Sequence, residues 1–266
     1  MANKKMKVEK VTKAYMKGDL FDRSTIPAAL KYFIGTCVMC VLFLIACIMM
    51  SLDNKLLNIA LNLSVAICVY LFFSHYGMSA GADAVNHGEI MLSRAEKGRP
   101  VAAWEKSLCF HPLKGLVVGL IGSIPLFLLS LIFACMTKRQ MTGLGSLPSW
   151  VSGFENRPEV GNALAYYHDT VSMDLESILR MLIRTSVMPY VNMIGADNKD
   201  GLLMLERISP VLNLLPAVFY GLGYMNGVSI RTAVHTNIAL GKKKQKKKQA
   251  RERRVRQQNR GPEHWN

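Results

Sequence analysis

The residues best equipped for chemistry are six cysteines, Cys37, Cys40, Cys47, Cys68, Cys109 and Cys135. Cys37-Val-Met-Cys40 is a CxxC, the spacing at which two thiols exchange a disulfide or pass electrons to a quinone. Such thiol–quinone oxidoreduction relays electrons through cysteines in outer loops. Here five cysteines sit in apolar runs and Cys109 lies in a basic segment, so no outer relay is available. Small polarizable residues filling one helix face at positions 37, 40, 44 and 47 account for the same pattern. A thiol–quinone oxidoreductase therefore stands as an alternative function, not the leading one.

The histidines (75, 87, 111, 168, 235 and 264) show no metal spacing. There is no HExxH, Cys–His cluster, Walker loop or GxSxG, and His87-Gly88-Glu89 and His168-Asp169 are isolated pairs. No catalytic, cofactor-binding or metal-binding residue is assigned, and the expectation is a non-enzymatic protein without a cofactor. The remaining polar groups in apolar surroundings are amides: Asn58, Asn62 and Asn213. Polar groups at membrane depth mark pathways or bond neighbouring helices. A transport role requires a water-lined cavity reaching all three amides. No acidic or basic residue lies in the middle of an apolar run, which argues against proton-coupled transport through a buried carboxylate and against voltage sensing. Asp83, Arg231, His87 and His235, just beyond the runs, line a vestibule or form solvated helix faces.

The elements that hold these residues are legible from composition. Half of the 266 residues are hydrophobic, only 19% are charged, and 33 Lys+Arg against 18 Asp+Glu give a net charge of +15. A hydrocarbon core of roughly 30 Å needs about 20 apolar helical residues. Four segments meet this: 32–50, 56–73, 115–136 carrying Pro125, and 208–228 carrying Pro210 and Pro216. Isolated strands cannot satisfy their backbone in lipid, so the expected fold is an all-α membrane protein with four transmembrane helices. The basic leader 1–31, the loop 74–114 and the tail 242–266 all fall on one side, which places both termini in the cytoplasm. The leader is too long, and lacks the cleavage pattern, for a removable signal peptide.

Finer punctuation divides the chain further. Ser24 or Thr25 ahead of Pro27 predicts the start of the first helix. Residues 6–15 form a basic amphipathic segment suited to a lipid surface. The second helix should run past Phe73 to Gly98-Arg99-Pro100, followed by an interfacial linker around Trp104. Residues 137–207 form an extracytoplasmic cap, with an irregular loop over 138–168 and a helix over 172–188. On that helix Glu176, Arg180 and Arg184 make a ladder opposite Ile178, Met181, Leu182 and Met188. The last unit, 208–241, is the fourth span and its cytoplasmic extension.

Glycines four apart recur at Gly77 and Gly81, Gly115 and Gly119, and Gly223 and Gly227, all at one depth. Such faces let helices approach closely, either within one bundle or across a homodimer. The stretch from His75 to Leu92 also aligns with that from Gly223 to Leu240, matching Tyr76 with Tyr224 and His87 with His235, the pattern of a parallel repeat.

The tail carries eleven cations between Lys242 and Arg260, among them Lys242, Lys243, Lys244, Lys246, Lys247, Lys248, Arg251, Arg253 and Arg254. Beside a membrane such a run attracts anionic lipid headgroups. Ribosomal or other RNA is the alternative, although no aromatic residue interleaves the run to stack bases. Lys114-Gly115-Leu116 leading into Gly122–Pro125, Gly223-Tyr224 to Gly227, and the tail running to Gly261-Pro262-Glu263 resemble uncharacterised multi-span membrane proteins of Gram-positive bacteria. The resemblance implies a bacterial plasma membrane and brings no activity with it. The function these readings favour is a structural, accessory or small transport-related membrane component, alone or within a homodimer or larger complex. The alternative is a membrane-insertion or ribosome-associated factor acting through the tail.

Overall fold

The computed structural model describes residues 10–49, 54–137, 157, 159–160, 175–195 and 198–259. Among them the chain forms helices and connections, with no strand. The helices are α1 (Thr25–Met49), α2 (Lys55–Glu96), α3 (Ala103–Ser107), α4 (Lys114–Met136), α5 (Leu175–Ser186), α6 (Met188–Ile194), α7 (Lys199–Met225) and α8 (Gly227–Asn259). Four are long and apolar enough to cross a membrane: α1, α2, α4, and α7 continued by α8. Most of the expected loop 138–168 and the last residues of the tail lie outside the described residues.

Each long helix begins and ends for a local reason. The Asn54 side chain accepts from the Leu56 and Leu57 amides, capping α2. The helix then runs for 42 residues, about 63 Å at 1.5 Å per residue, roughly twice the hydrocarbon thickness. It stops where Gly98 takes a φ of +72° and its N–H turns back to Ala95. In α7, Pro210 cannot donate to the Glu206 carbonyl, and the Ser209 hydroxyl donates there instead at 2.7 Å. That replacement bond lets the helix continue through a proline in an apolar setting.

The core follows the small-residue faces. A Cβ on Gly77 would sit 2.1 Å from the Tyr220 carbonyl oxygen, one on Gly81 2.3 Å from that of Tyr224, and one on Gly223 2.0 Å from that of Ser74. Gly227 abuts Gly81, Gly115 receives the Tyr224 ring and Gly119 meets Ala217. All six glycines thus contact helices of their own chain, bringing α2, α4 and α7 into backbone contact. Tyr32, Phe73 and Tyr220 pack ring to ring beside them. The aligned stretches 75–92 and 223–240 lie side by side in this seam, where α8 continues along the far part of α2.

Two sequence expectations change. The helix that carries the fourth apolar run begins ahead of Ile208: α7 starts at Lys199, so the last residues of the expected cap are continuous with that helix. The leader, where described, is no separate surface segment. Residues 10–19 are non-helical and lie against the protein, with the Met16 N–H bonded to the Gly88 carbonyl and the Gly18 N–H to that of Phe110. The first and last described stretches of the chain therefore lie at one end of the bundle, and α5 and α6 close the other.

Candidate functional site

The closed end is built on a charge that the apolar pattern concealed. Glu206 is 3% exposed and shares the inward register of Leu202, Leu205 and Ser209. A carboxylate there is tolerable only if paired. Arg184 approaches it at 2.6 Å and Arg180 at 3.2 Å, while the Thr137 hydroxyl donates to it at 2.5 Å. Glu176 holds Arg180 from one turn away at 2.8 Å, and the Arg180 guanidinium lies over the buried Phe133 ring. The ladder read from the sequence is present, but it turns toward the bundle. The opposite face of α5, with Leu175, Ile178, Met181 and Leu182, is exposed. In a membrane protein that arrangement places the apolar face toward lipid.

The amides divide into two settings. Asn62, fully buried, donates to the Asn58 carbonyl and side-chain oxygens at 2.9 and 2.7 Å. Asn58 in turn donates to the Asn192 carbonyl, and Asn192 donates to the Cys47 carbonyl and to the Asn62 side chain. Asn58 and Asn62 therefore form a hydrogen-bonded seam that ties α6 to α1 and α2. Asn192, absent from the sequence reading, completes it. Asn213 is different: its Nδ2 is buried and has no hydrogen-bond partner. It lines a cavity of about 50 Å³ between α1, α2, α4 and α7, roofed by Val187, Pro189 and Tyr190. Thr36, Tyr70 and Ser186 supply its other polar groups, and the Tyr70 hydroxyl bonds that of Tyr190. The space suits one or a few waters. Asn58 and Asn62 do not line this cavity, so it does not reach all three amides as transport requires.

Of the CxxC pair, Cys40 lines this cavity while Cys37 is exposed on the bundle's outer surface. All six cysteines are free thiols, and Cys109, outside the apolar helices, has its thiol pushed up by burial.

At the termini end, polar residues read from sequence as solvated prove to be joined. Glu89 of α2 receives Arg231 at 3.1 Å and faces His235 at 2.7 Å. His235 is 8% exposed, so it is not a solvated face. Burial alone would raise the Glu89 carboxyl, but hydrogen bonds from His235 and Arg231, with the Arg231 charge, hold it below the ordinary carboxylate range. His87, in contrast, takes no part, and Asp83 is exposed. Lys114 is buried at the opening of α4, donating to the Ser107 carbonyl and the Ser24 hydroxyl. The Ser107 hydroxyl holds the Asp22 carboxyl low, helped by the Arg23 amide. Beyond Gly241 every tail residue described, from Lys242 through Arg254, is exposed on α8.

No group of three or more potential ligands able to hold a metal ion occurs among the described residues. The four apolar helices and their packing define the class: a polytopic α-helical membrane protein. Neither a family model, nor a curated protein, nor a solved structure matches the chain.

Proposed function

We propose that the protein is a non-enzymatic accessory component of a bacterial plasma membrane, with both termini cytoplasmic, that holds a cationic helix away from the bilayer for an anionic aqueous partner. The observation that carries this reading is the continuity of the last span with the tail. Only Asn226 separates α7 from α8, and α8 is clamped to α2 by the glycine seam and by Glu89. Lys114 opens α4 and the adjoining Gly115 abuts Tyr224, so Tyr224 marks the margin of the apolar bundle. Lys242 lies eighteen residues further along, about 27 Å at helical rise, whereas the headgroup layer is only about 5–8 Å deep. Lipid anchoring of the tail would need a sharp bend between the two, and α8 continues helical to Asn259. The positive excess at this end supports its cytoplasmic placement.

The test compares the full chain with one ending at Gly241, each captured in detergent and probed with ribosomes and with the proteins that co-purify. The expected result is salt-sensitive capture by the full chain and none by the shortened one. Ribosome co-sedimentation or partner capture that survives the deletion overturns the role given to the tail. A transport-related reading retains one observation in its favour, the unpartnered Asn213 amide in the central cavity. It predicts that Asn213→Leu abolishes uptake into proteoliposomes of whichever solute the wild type carries.

A further inference from the structure

We propose that the concavity at the junction of the leader, the end of α2 and the start of α8 is a binding site for a multiply charged phosphate anion. This goes beyond the role of the tail and uses none of its residues. The concavity measures about 480 Å³, within the range of small-ligand sites. Three separate segments bring cations to it: Lys13 from the leader, Arg94, Lys97 and Arg99 from the end of α2 and its C-cap, and Arg231 from α8.

Their pairing decides what they can bind. Arg94 is engaged by Glu105 at 3.0 Å, and Arg231 by Glu89. The side chains of Lys13, Lys97 and Arg99 make no hydrogen bond or ion pair among the described residues. Glu89 is the only carboxylate lining the space among the described residues, and Arg231 and His235 already occupy it. The site therefore holds three uncompensated positive charges, with two partly compensated guanidinium groups at its walls. A single monoanion leaves most of that charge unmatched. A di- or triphosphate group, whose oxygens accept from guanidinium forks and ammonium groups together, matches it.

Neutral donors complete the site. The Asn86 side-chain oxygen accepts from Arg231 at 2.5 Å, which orients its Nδ2 group as an unused donor. The Ser93 hydroxyl also makes no hydrogen bond among the described residues, although those of Ser123, Thr232 and Thr236 each donate back to the preceding helical turn. The leader is held firmly enough to keep Lys13 at the rim. Gly88 leaves no room for a side chain against Met16, and the Val11 N–H donates to Thr236. Glu89 and Lys97 lie eight and sixteen residues beyond Gly81, which is level with Tyr224, hence about 12 to 24 Å past the apolar margin. A phosphorylated solute reaches this position freely. A phosphate-bearing lipid headgroup reaches only its lower edge.

The experiment titrates tripolyphosphate into the full chain in nanodiscs of zwitterionic lipid, by calorimetry, at two salt concentrations. Saturable 1:1 binding is expected, with orthophosphate at least about tenfold weaker. Lys13→Gln, Lys97→Gln and Arg99→Gln together should weaken it by about tenfold or more, with the thermal midpoint unchanged because all three residues are exposed. Lys242→Gln, Lys243→Gln and Lys244→Gln together should leave it within about twofold, although they remove the same charge. Repeating the titration in nanodiscs containing cardiolipin, whose headgroup carries two phosphates, separates the sources. Undiminished binding assigns the site to a soluble phosphate compound, and competition by the lipid assigns it to a headgroup. Absence of saturable binding in both bilayers, or an equal loss from the tail substitutions, overturns the site.

Discussion

At the scale of single residues, stability depends on where carbon is absent. The Gly223 Cα faces the Ser74 carbonyl so closely that an added Cβ would stand 2.0 Å from its oxygen, whereas a Cβ on Gly35 of α1 would meet nothing within 4 Å. Gly223→Ala must force α2 and α7 apart, and overpacking of this kind costs about 1–3 kcal/mol or more. Gly35→Ala introduces no clash and gains about 0.5–1 kcal/mol of helix propensity. The expected outcome is a large fall in the unfolding midpoint in detergent for Gly223→Ala and a small rise for Gly35→Ala. Equal effects would mean that the seam is looser than its geometry. Glu206 makes the complementary case for charge. Glu206→Gln removes the buried carboxylate that Arg184 and Arg180 share, a loss on the order of 3–5 kcal/mol for a buried pair. The expected readout is faster amide exchange throughout 175–186 with little change in the middle of α2. Uniform acceleration across both helices would show that Glu206 stabilises the whole bundle, not the attachment of α5.

At the scale of elements, α8 stays beside α2 through a glycine seam near the membrane and an ion-paired clamp further out. The clamp titrates. The Glu89 carboxyl is held below its ordinary value of 4.5 in the folded protein. Its contribution is therefore complete above that value and is lost as pH falls through the lower, folded one. Amide exchange over 231–240 should accelerate at pH 3.5 relative to pH 7 after correction for intrinsic rates. In Glu89→Gln the acceleration should already be present at pH 7 and change little with acid. The sequence announced the elements better than their attachments. The apolar runs, the Gly98-Arg99-Pro100 stop and the glycine spacing are local signals, and the long helices form over the runs they predict, α7 with nine further residues ahead of Ile208. The seam of Asn58 and Asn62 with Asn192 was not legible, because its third member lies 130 residues from Asn62, in a segment with no apolar run of its own. The inward turn of α5 was hidden for a related reason. An amphipathic helix looks the same in sequence whether its charged face meets water or a buried carboxylate. Glu206 lies just outside the apolar run 208–228, although its spacing from Leu202, Leu205 and Ser209 marks it as inward-facing.

At the scale of the whole molecule, the charge distribution and the helix lengths define a polarised object. The closed end is roofed by α5, whose charges are turned inward, and by α6, which carries none, and the other end extends as α2 and α8 well past the apolar bundle. With the termini end in the cytoplasm, Asn54 at the start of α2 must be exposed outside the cell and Lys247 inside, since one apolar span separates the start of α2 from its cationic end. A membrane-impermeant maleimide should label Asn54→Cys on intact cells above the wild-type background, and Lys247→Cys only after permeabilisation. The loss of the Asn54 cap costs only about 1 kcal/mol, so that variant should still insert. The reverse pattern would invert the molecule, presenting the cationic helix and the anion-binding concavity to the exterior. Cytoplasmic partners would then be out of reach, while the internal geometry of the bundle would stand unchanged. Equal labelling of both positions on intact cells would mean mixed insertion, which the concentration of Lys and Arg at one end opposes.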